Sequence, residues 1–260
     1  MAPTMNDEIK THAKTTQTSL ELVEAVRELN GATLEELSEH VGISTSTVHR
    51  HLATLRDHGY VIQEGDVYRI GLKFLSMGGY AQRQVDAYPM IKEKVDQLAD
   101  ETGERAQFIV EERGQRVYLY TEVGESAVQT GARVGKRGEI HSSAAGKAIL
   151  ANLPRDRARK IVKERGLSKT GRNTITSKET LFDALDEIRN RGYAVNKQET
   201  TEGVHAVGVA VMDSEDEVLG ALSVSGPANR LKADILTEEL PELILGAVNE
   251  LELHIEHSVN

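Results

Sequence analysis

Near the start of the chain, apolar residues recur three and four positions apart in short runs separated by polar residues and glycine. Leu22, Val26 and Leu29 fall on one face of a first helix. Ahead of them, Thr18-x-x-Glu21 has the spacing of a capping box, in which a hydroxyl and a carboxylate reciprocally satisfy exposed backbone N–H groups. A second helix opens on the same device at Thr33-x-x-Glu36, turns Leu34, Leu37 and Val41 inward, and stops at Gly42, which is free to take the left-handed turn that ends helices. Ser44 then opens a third helix running to Arg56, with Val48, Leu52 and Leu55 inward, and Gly59 ends it. Beyond this the period changes. Tyr60-Val61-Ile62 and Val67-Tyr68-Arg69-Ile70 are β-prone runs joined by Gln63-Glu64-Gly65-Asp66, which predicts a small hairpin.

Three short helices, a tight turn between the second and third, and a terminal hairpin predict a winged helix-turn-helix, whose third helix enters the major groove of DNA. The exposed positions on that helix are all polar. Ser44, Thr45, Ser46, Thr47, His49, Arg50 and His51 are therefore the candidate DNA-binding residues, with small hydroxyls at the N-terminal end where side chains approach base edges. The bland alternative is a three-helix bundle with a solvated polar face.

After the hairpin, Leu72 to about Ala87 reads as a linking helix with an apolar stripe, either a spacer or a dimer contact. Pro89 suits a first helical turn, followed by the stripe Ile91, Val95 and Leu98 up to Gly103. Alternating runs at 106–111 and 116–121, turning at Gly114, predict an antiparallel hairpin. Further strands are expected at 193–197, 205–212 and 218–225, and helices at 145–153, 154–165, 177–191 and 237–257. The fold class is α+β, with an antiparallel sheet flanked by helices in the second domain. The expected organisation is a flexible N-terminus over 1–17, a DNA-binding domain over 18–70, a linker and dimerisation helix over 71–87, and the second domain over 88–258.

Length and composition narrow this picture. At 260 residues there is room for two modest domains, each with its own core. There is no cysteine, which removes disulfides, thiolate metal sites and thiol nucleophiles. No run of about 18 apolar residues occurs, and the first residues lack the apolar core of a signal peptide, so a cytoplasmic protein is expected.

The formal charge of −10 initially argues against nucleic acid. Residues 1–70 hold six Lys+Arg against eleven Asp+Glu, yet the third helix has no acid from Ser44 to Arg56. Arg50, Arg56, His40, His49, His51 and His58 lie in or beside it, so positive charge is focused where a DNA backbone would pass. An acidic exterior of this kind suits a high-salt cytoplasm, where counterion release contributes less to binding.

Catalytic chemistry is thin, and no catalytic residue, metal or cofactor is expected. Neither Gly131-Ala-Arg-Val-Gly135-Lys136-Arg137 nor Ala145-Gly146-Lys147-Ala148 has phosphate-loop spacing. His254-x-x-His257 lacks a third ligand and reads as a solvated helix end. His141-Ser142-Ser143 has no orienting carboxylate and reads as an anchoring turn. What remains is a set of small and hydroxyl residues in loops at strand ends, at 142–146, Gly203 and 223–227, which suit a carboxylate or sugar-like ligand near a helix start or serve simply as turns.

The chain resembles the IclR family of transcriptional regulators from Thr18 to Glu256. The resemblance rests on Ala32-Thr-Leu-Glu-Glu-Leu37, Gly42-Ile-Ser-Thr-Ser-Thr-Val-His-Arg50, Val134-Gly135-x-x-Gly138, His141-Ser-Ser-Ala-Ala-Gly-Lys-Ala148, Asn173-Thr-Ile-Thr176, Arg189-x-Arg-Gly-Tyr-Ala194 and Leu222-Ser-Val-Ser-Gly-Pro227. It implies a winged helix-turn-helix, a linker helix used in dimerisation, and a GAF-like effector-binding domain. It also implies operator binding as a homodimer or dimer of dimers under the control of a small metabolite, an organic acid or sugar derivative. The effector pocket it implies comprises Ser143, Ala144, Ala145, Asn196, His205, Ala206, Ser223 and Ser225. Asn196 stands where many relatives have an acid, and His205-Ala206 where many have Arg-Cys, so the ligand does not transfer from a relative. His205 either lines the pocket or caps the sheet. The alternatives are a small-molecule enzyme domain fused to a helical interaction module, and a DNA-associated protein without a ligand.

Overall fold

Helix α1 (Lys14–Glu28) begins four residues ahead of the predicted cap. Thr18 sits within it, its hydroxyl donating to the Lys14 carbonyl, so no Thr18-x-x-Glu21 capping box forms, and residues 14–17 are helical. The rest of the predicted flexible segment, residues 1–12, lies outside the described residues: the computed structural model describes 13–85, 87–127 and 131–258. Leu22, Ala25 and Val26 are buried, while Leu29, just past the helix end, is exposed.

Strand β1 (Ala32–Thr33) leads into α2 (Leu34–Val41). Here the capping box is complete: the Thr33 hydroxyl accepts from Glu36 N, and the Glu36 carboxylate accepts from Thr33 N at 2.8 Å. Gly42 turns the chain at φ 73°, ψ 31°, and α3 (Thr45–Asp57) follows. Strands β2 (Val61–Glu64) and β3 (Val67–Ile70) form the wing, with β1 added antiparallel on β3 to give the order β1-β3-β2. Leu22, Leu37, Val48, Leu52 and Val61 close the core of this unit. Helix α4 (Lys73–Arg83) has no buried residue, and the chain divides into two compact units within it, between Ala81 and Gln82.

The second unit begins with α5 (Tyr88–Thr102), β4 (Arg105–Glu112), β5 (Gln115–Val123) and β6 (Arg137–Glu139). After a single tight turn at 140–142 come α6 (Ala144–Asn152), α7 (Arg155–Arg165) and α8 (Lys178–Arg191). Strands β7 (Ala194–Lys197), β8 (Val204–Met212) and β9 (Val218–Pro227) and helix α9 (Leu240–Ser258) complete it. The sheet order is β6-β5-β4-β9-β8-β7, antiparallel throughout.

Strand alternation assigns the two sheet faces. Val207, Val209 and Val211 of β8 and Leu222 and Val224 of β9 point to a core shared with α5 and α9. The intervening residues are small: Ala206, Gly208 and Ala210 on β8, and Ala221, Ser223 and Ser225 on β9. This small-residue face admits α6, which packs on it with α7 and α8 through Ile149, Leu150, Leu181 and Leu185. The approach is close enough that a Cβ at Gly208 would stand 2.6 Å from Ala145 N.

Helix α9 is preceded by a π-helical turn at Ile235–Glu239. Pro241 lacks the N–H that would bond Thr237, and that carbonyl accepts from the Tyr193 hydroxyl at 3.1 Å instead. Among the described residues no helix is long and apolar enough to cross a membrane.

The fit at Gly208 predicts that Gly208→Ala costs about 1–3 kcal/mol of stability, the usual penalty for overpacking. Urea denaturation checks this; wild-type stability would mean that α6 does not rest on β8 as described.

Candidate DNA-reading helix and ligand cavity

Ser44 is the N-cap of α3, its hydroxyl accepting from Thr47 N and bonding the Thr47 hydroxyl at 2.9 Å. With Val48 and Leu52 buried, the opposite side of the helix carries Ser46 and Arg50, flanked by Thr45 and His49, all exposed. No protein group among the described residues bonds the Arg50 side chain.

Thr47 and His51 are half-buried. His51 Nδ1 lies 2.8 Å from the Ser19 hydroxyl of α1, so this ring anchors α3 to α1 and is not presented outward with the others. Position 51 directly precedes Leu52 and borders the buried stripe. Arg56 donates to Gln63 of β2 at 2.6 Å and ties α3 to the wing. The wing tip is acidic, with Glu64 paired to Arg69 and Asp66 exposed.

In the second unit, the α6 start, the β4, β5, β7, β8 and β9 strands and the segment after β7 enclose a cavity of about 90 Å³. It brings together seven of the eight residues expected there: Ser143, Ala144 and Ala145 of α6, Asn196 of β7, Ala206 of β8, and Ser223 and Ser225 of β9. His205 is not among its walls. Strand alternation turns it the other way from Ala206, and its Nδ1 bonds the Leu231 carbonyl at 2.8 Å.

The cavity's polar groups differ in what they have left to offer. Ser143 caps α6 by accepting from Gly146 N at 3.0 Å, whereas the first-turn amides of Ala144 and Ala145 have no acceptor in their own helix. Asn196 is committed: its amide donates to Ser142 O at 2.6 Å and to the Thr200 hydroxyl at 3.1 Å, and its oxygen accepts from Glu199 N. It fastens the segment after β7. The Ser223 hydroxyl donates to Val207 O, while Ser225 has only a long 3.4 Å contact with Gln107.

Besides Tyr118, Thr200 and Thr201, three strongly polar wall residues were not anticipated. Gln107 lies on β4, Arg116 on β5, and Lys136 immediately before β6. Arg116 shares a strand face with Tyr118 and lies above Gly138, whose missing Cβ would stand 2.8 Å from Nη2. Alternation along β5 carries this signal, but only once its strand neighbours are known. Burial, followed by the charges of Arg116 and Arg133, holds the Lys136 ammonium below the usual lysine range.

Beneath the cavity, Lys147 of α6 bonds Glu199 and the Val195 carbonyl, all within the protein interior. Burial lowers the lysine and raises the carboxyl, and their mutual attraction opposes both shifts. His141 is buried, with Nε2 3.2 Å from Ser168 O, and Ser142 bonds Glu139 O. Contrary to the expectation of no neighbouring carboxylate, Glu139 Oε2 lies 3.7 Å from His141 Nδ1. Nε2 nevertheless faces the Ser168 carbonyl and the Ser142 hydroxyl the Glu139 carbonyl, so histidine and serine form no nucleophile–base pair. Among the described residues no cluster of His, Asp and Glu could hold a metal ion.

A winged helix-turn-helix with an unpaired arginine on its third helix, followed by a domain enclosing a polar cavity, defines a ligand-responsive DNA-binding regulator. A family model described as the IclR helix-turn-helix domain matches residues 17–65, and one described as bacterial transcriptional regulator IclR C-terminal matches 81–252. The chain belongs to the IclR family of transcriptional regulators. It is 34% identical over 92% of both chains to the probable HTH-type transcriptional regulator ArcR of Halobacterium salinarum. It is also 31% identical to the HTH-type transcriptional regulator KdgR of Escherichia coli, over 84% of this chain and 83% of that one. The crystal structure of Thermotoga maritima IclR superposes with a TM-score of 0.81, at 26% identity, covering 94% of this chain and all of that one. The protein is therefore a regulator that binds operator DNA and a small-molecule effector, and not an enzyme.

Burial holds the His141 ring below its ordinary value of 6.5. On acidification the unfolded chain takes up a proton there and the folded chain does not, so this residue's contribution to stability is lost as pH falls through about 6.5. His141→Gln should therefore lose less stability than wild type between pH 6.5 and 5, by up to about 1.4 kcal/mol per pH unit. Urea titrations across that range check this; parallel declines would refute it.

Proposed function

We propose that the outward face of α3 reads operator DNA, with Arg50 contacting base edges and Thr45, Ser46 and His49 beside it, while Ser44 and Thr47 present the start of the helix to a phosphate. The carrying observation is the exposed Arg50 guanidinium, without a protein partner among the described residues, in the middle of an acid-free helix face. An arginine in that position makes the bidentate contact that guanine offers in the major groove. His51, held by Ser19, acts by fixing α3 rather than by touching DNA.

In the second domain, a small organic acid or sugar-derived metabolite seats an anionic group on the first-turn amides of α6 and on Ser225, with Ser143, Ala206 and Ser223 shaping the floor. Asn196 serves the site by holding its covering segment. The functional division is a DNA-binding domain from α1 to residue 70, a linker over 71–87 and an effector domain over 88–258.

Leu72, Leu75, Met77 and Tyr80 leave an apolar surface on and beside α4, with Leu72 82% exposed. It supports a homodimer or dimer of dimers in which the linker helices pair. Effector binding then shifts the placement of the paired reading helices against half-sites about one helical turn apart. The protein works in the cytoplasm, and its acidic balance, like its similarity to a halobacterial regulator, suits high salt.

Arg50→Ala should weaken binding to an operator selected from a random duplex pool by about tenfold or more, the size of one bidentate base contact, with circular dichroism unchanged. Unaltered affinity in fluorescence anisotropy would refute the docking. A Ser223→Ala/Ser225→Ala variant should bind that operator as wild type does but lose the shift produced by metabolite extracts; a full response would remove the serines from the effector site.

A further inference from the structure

Among the polar groups around the cavity, the guanidinium of Arg116 is the least satisfied. The residue is 6% exposed, its Nε donates to Glu139 O at 3.2 Å, and its Nη1 is buried with no hydrogen-bond partner among the described residues. A buried cationic donor left unpaired costs more than a neutral one, because water can no longer solvate it. No acidic side chain lines the cavity to answer it, and Lys136 adds a second cation on the same side.

Arg116 and the α6 start face different ends of the space. Arg116 is on β5, two strands from the serines of β9, which is about 10 Å at the usual strand spacing. Its guanidinium lies over Gly138 of β6, on the side away from β9, whereas the first turn of α6 rests on Gly208 of β8. One carboxylate held by the α6 amides therefore leaves the Arg116 end unanswered. At about 90 Å³ the cavity is also far smaller than the roughly 300–1,000 Å³ typical of drug-sized ligands, so its occupant is short.

We infer that the effector is a compact dianion. One anionic group sits on the α6 amides and Ser225, and a second, carboxylate or phosphate, is bound by Arg116 with Lys136 beside it. This rests on the cavity being the effector site. Arg116 selects the ligand class: its planar fork pairs with two oxygens of one anionic group, and a monoacid leaves it unpaired.

The test is titration calorimetry of the full chain at fixed ionic strength with succinate against butyrate and with phosphoglycolate against glycolate. At least one dianion should bind ten or more times tighter than its matched monoanion, and the better pair distinguishes a second carboxylate from a phosphate. Arg116→Met should reduce that preference to about twofold, and Lys136→Met, at a less buried position, should reduce it less. Thermal melts of both variants verify folding. Monoanions that bind as tightly as dianions would overturn the second anionic group while leaving the effector cavity standing, as would an undiminished preference in folded Arg116→Met. Failure of all four acids to bind would overturn both this assignment and the anion seat on α6.

Discussion

Helix α6 lies directly on the sheet because β8 and β9 present only small side chains to it, and at Gly208 none at all. The ligand cavity depends on that contact. It brings the first-turn amides of α6 over the serines of β9, and it lets Lys147 reach down to the Val195 carbonyl and to Glu199. Glu199 in turn accepts, through its carbonyl, from the hydroxyls of Thr170 and Thr174, so the segments before α8 and after β7 share one buried polar junction with α6. A buried ion pair of this kind adds little net stability compared with apolar packing, but breaking one half leaves a charge stranded. Its role here is positional: α6 is confined to the register in which its N-terminus faces the cavity.

The DNA-binding unit relies on a different local device for the same purpose. Gly42 reverses the chain in a left-handed conformation, and Ser44 caps α3 immediately afterwards, so the start of the reading helix is fixed to within one residue. Arg56 bonded to the wing and His51 bonded to α1 pin the helix on its two flanks. Ser46 still shares a 3.1 Å hydroxyl contact with the Ser44 cap, which leaves Arg50 as the side chain on that face with no structural bond among the described residues. In both units the groups proposed to meet a ligand, Arg50 and Arg116, are ones that the fold leaves with donors to spare.

That distinction separates what was legible in the sequence from what was not. Element identity followed from hydrophobic period, glycine and capping residues, and the Thr33 box, the Gly42 turn and all five strands predicted for the second domain are present as described. The Thr18 box failed because α1 extends a turn further back, through Lys14-Thr-Thr-Gln17, where no apolar stripe or strong helix propensity marks it. Strand β1 is two residues long, and its pairing with β3 is a tertiary contact that no local pattern signals. The small residues of the pocket motif line one cavity, but the direction of each side chain was not legible: alternation sends His205 away, and hydrogen bonding consumes Asn196. Arg116 escaped notice for the converse reason. Its importance lies in a bond it lacks, and that is visible only when its surroundings are known.

The charge balance acquires its meaning at the same level. A net of −10 spread over 260 residues repels polyanions at long range, yet DNA, and the anionic effector proposed above, are negatively charged. The conflict is resolved by distance. At molar salt the screening length falls to about 3 Å, so the acids of α1, α2 and the wing tip scarcely act across the breadth of a domain, while a guanidinium in direct contact with an oxygen is screened little. An acidic exterior is therefore compatible with anion recognition provided that the cations at the contact itself have no acidic partner. Arg50 and the Nη1 of Arg116 meet that condition, whereas Arg27, Arg69, Arg155 and Arg230 are bound to carboxylates. What decides the partner is which cations remain unpaired, and net charge sets only the salt range over which those contacts prevail.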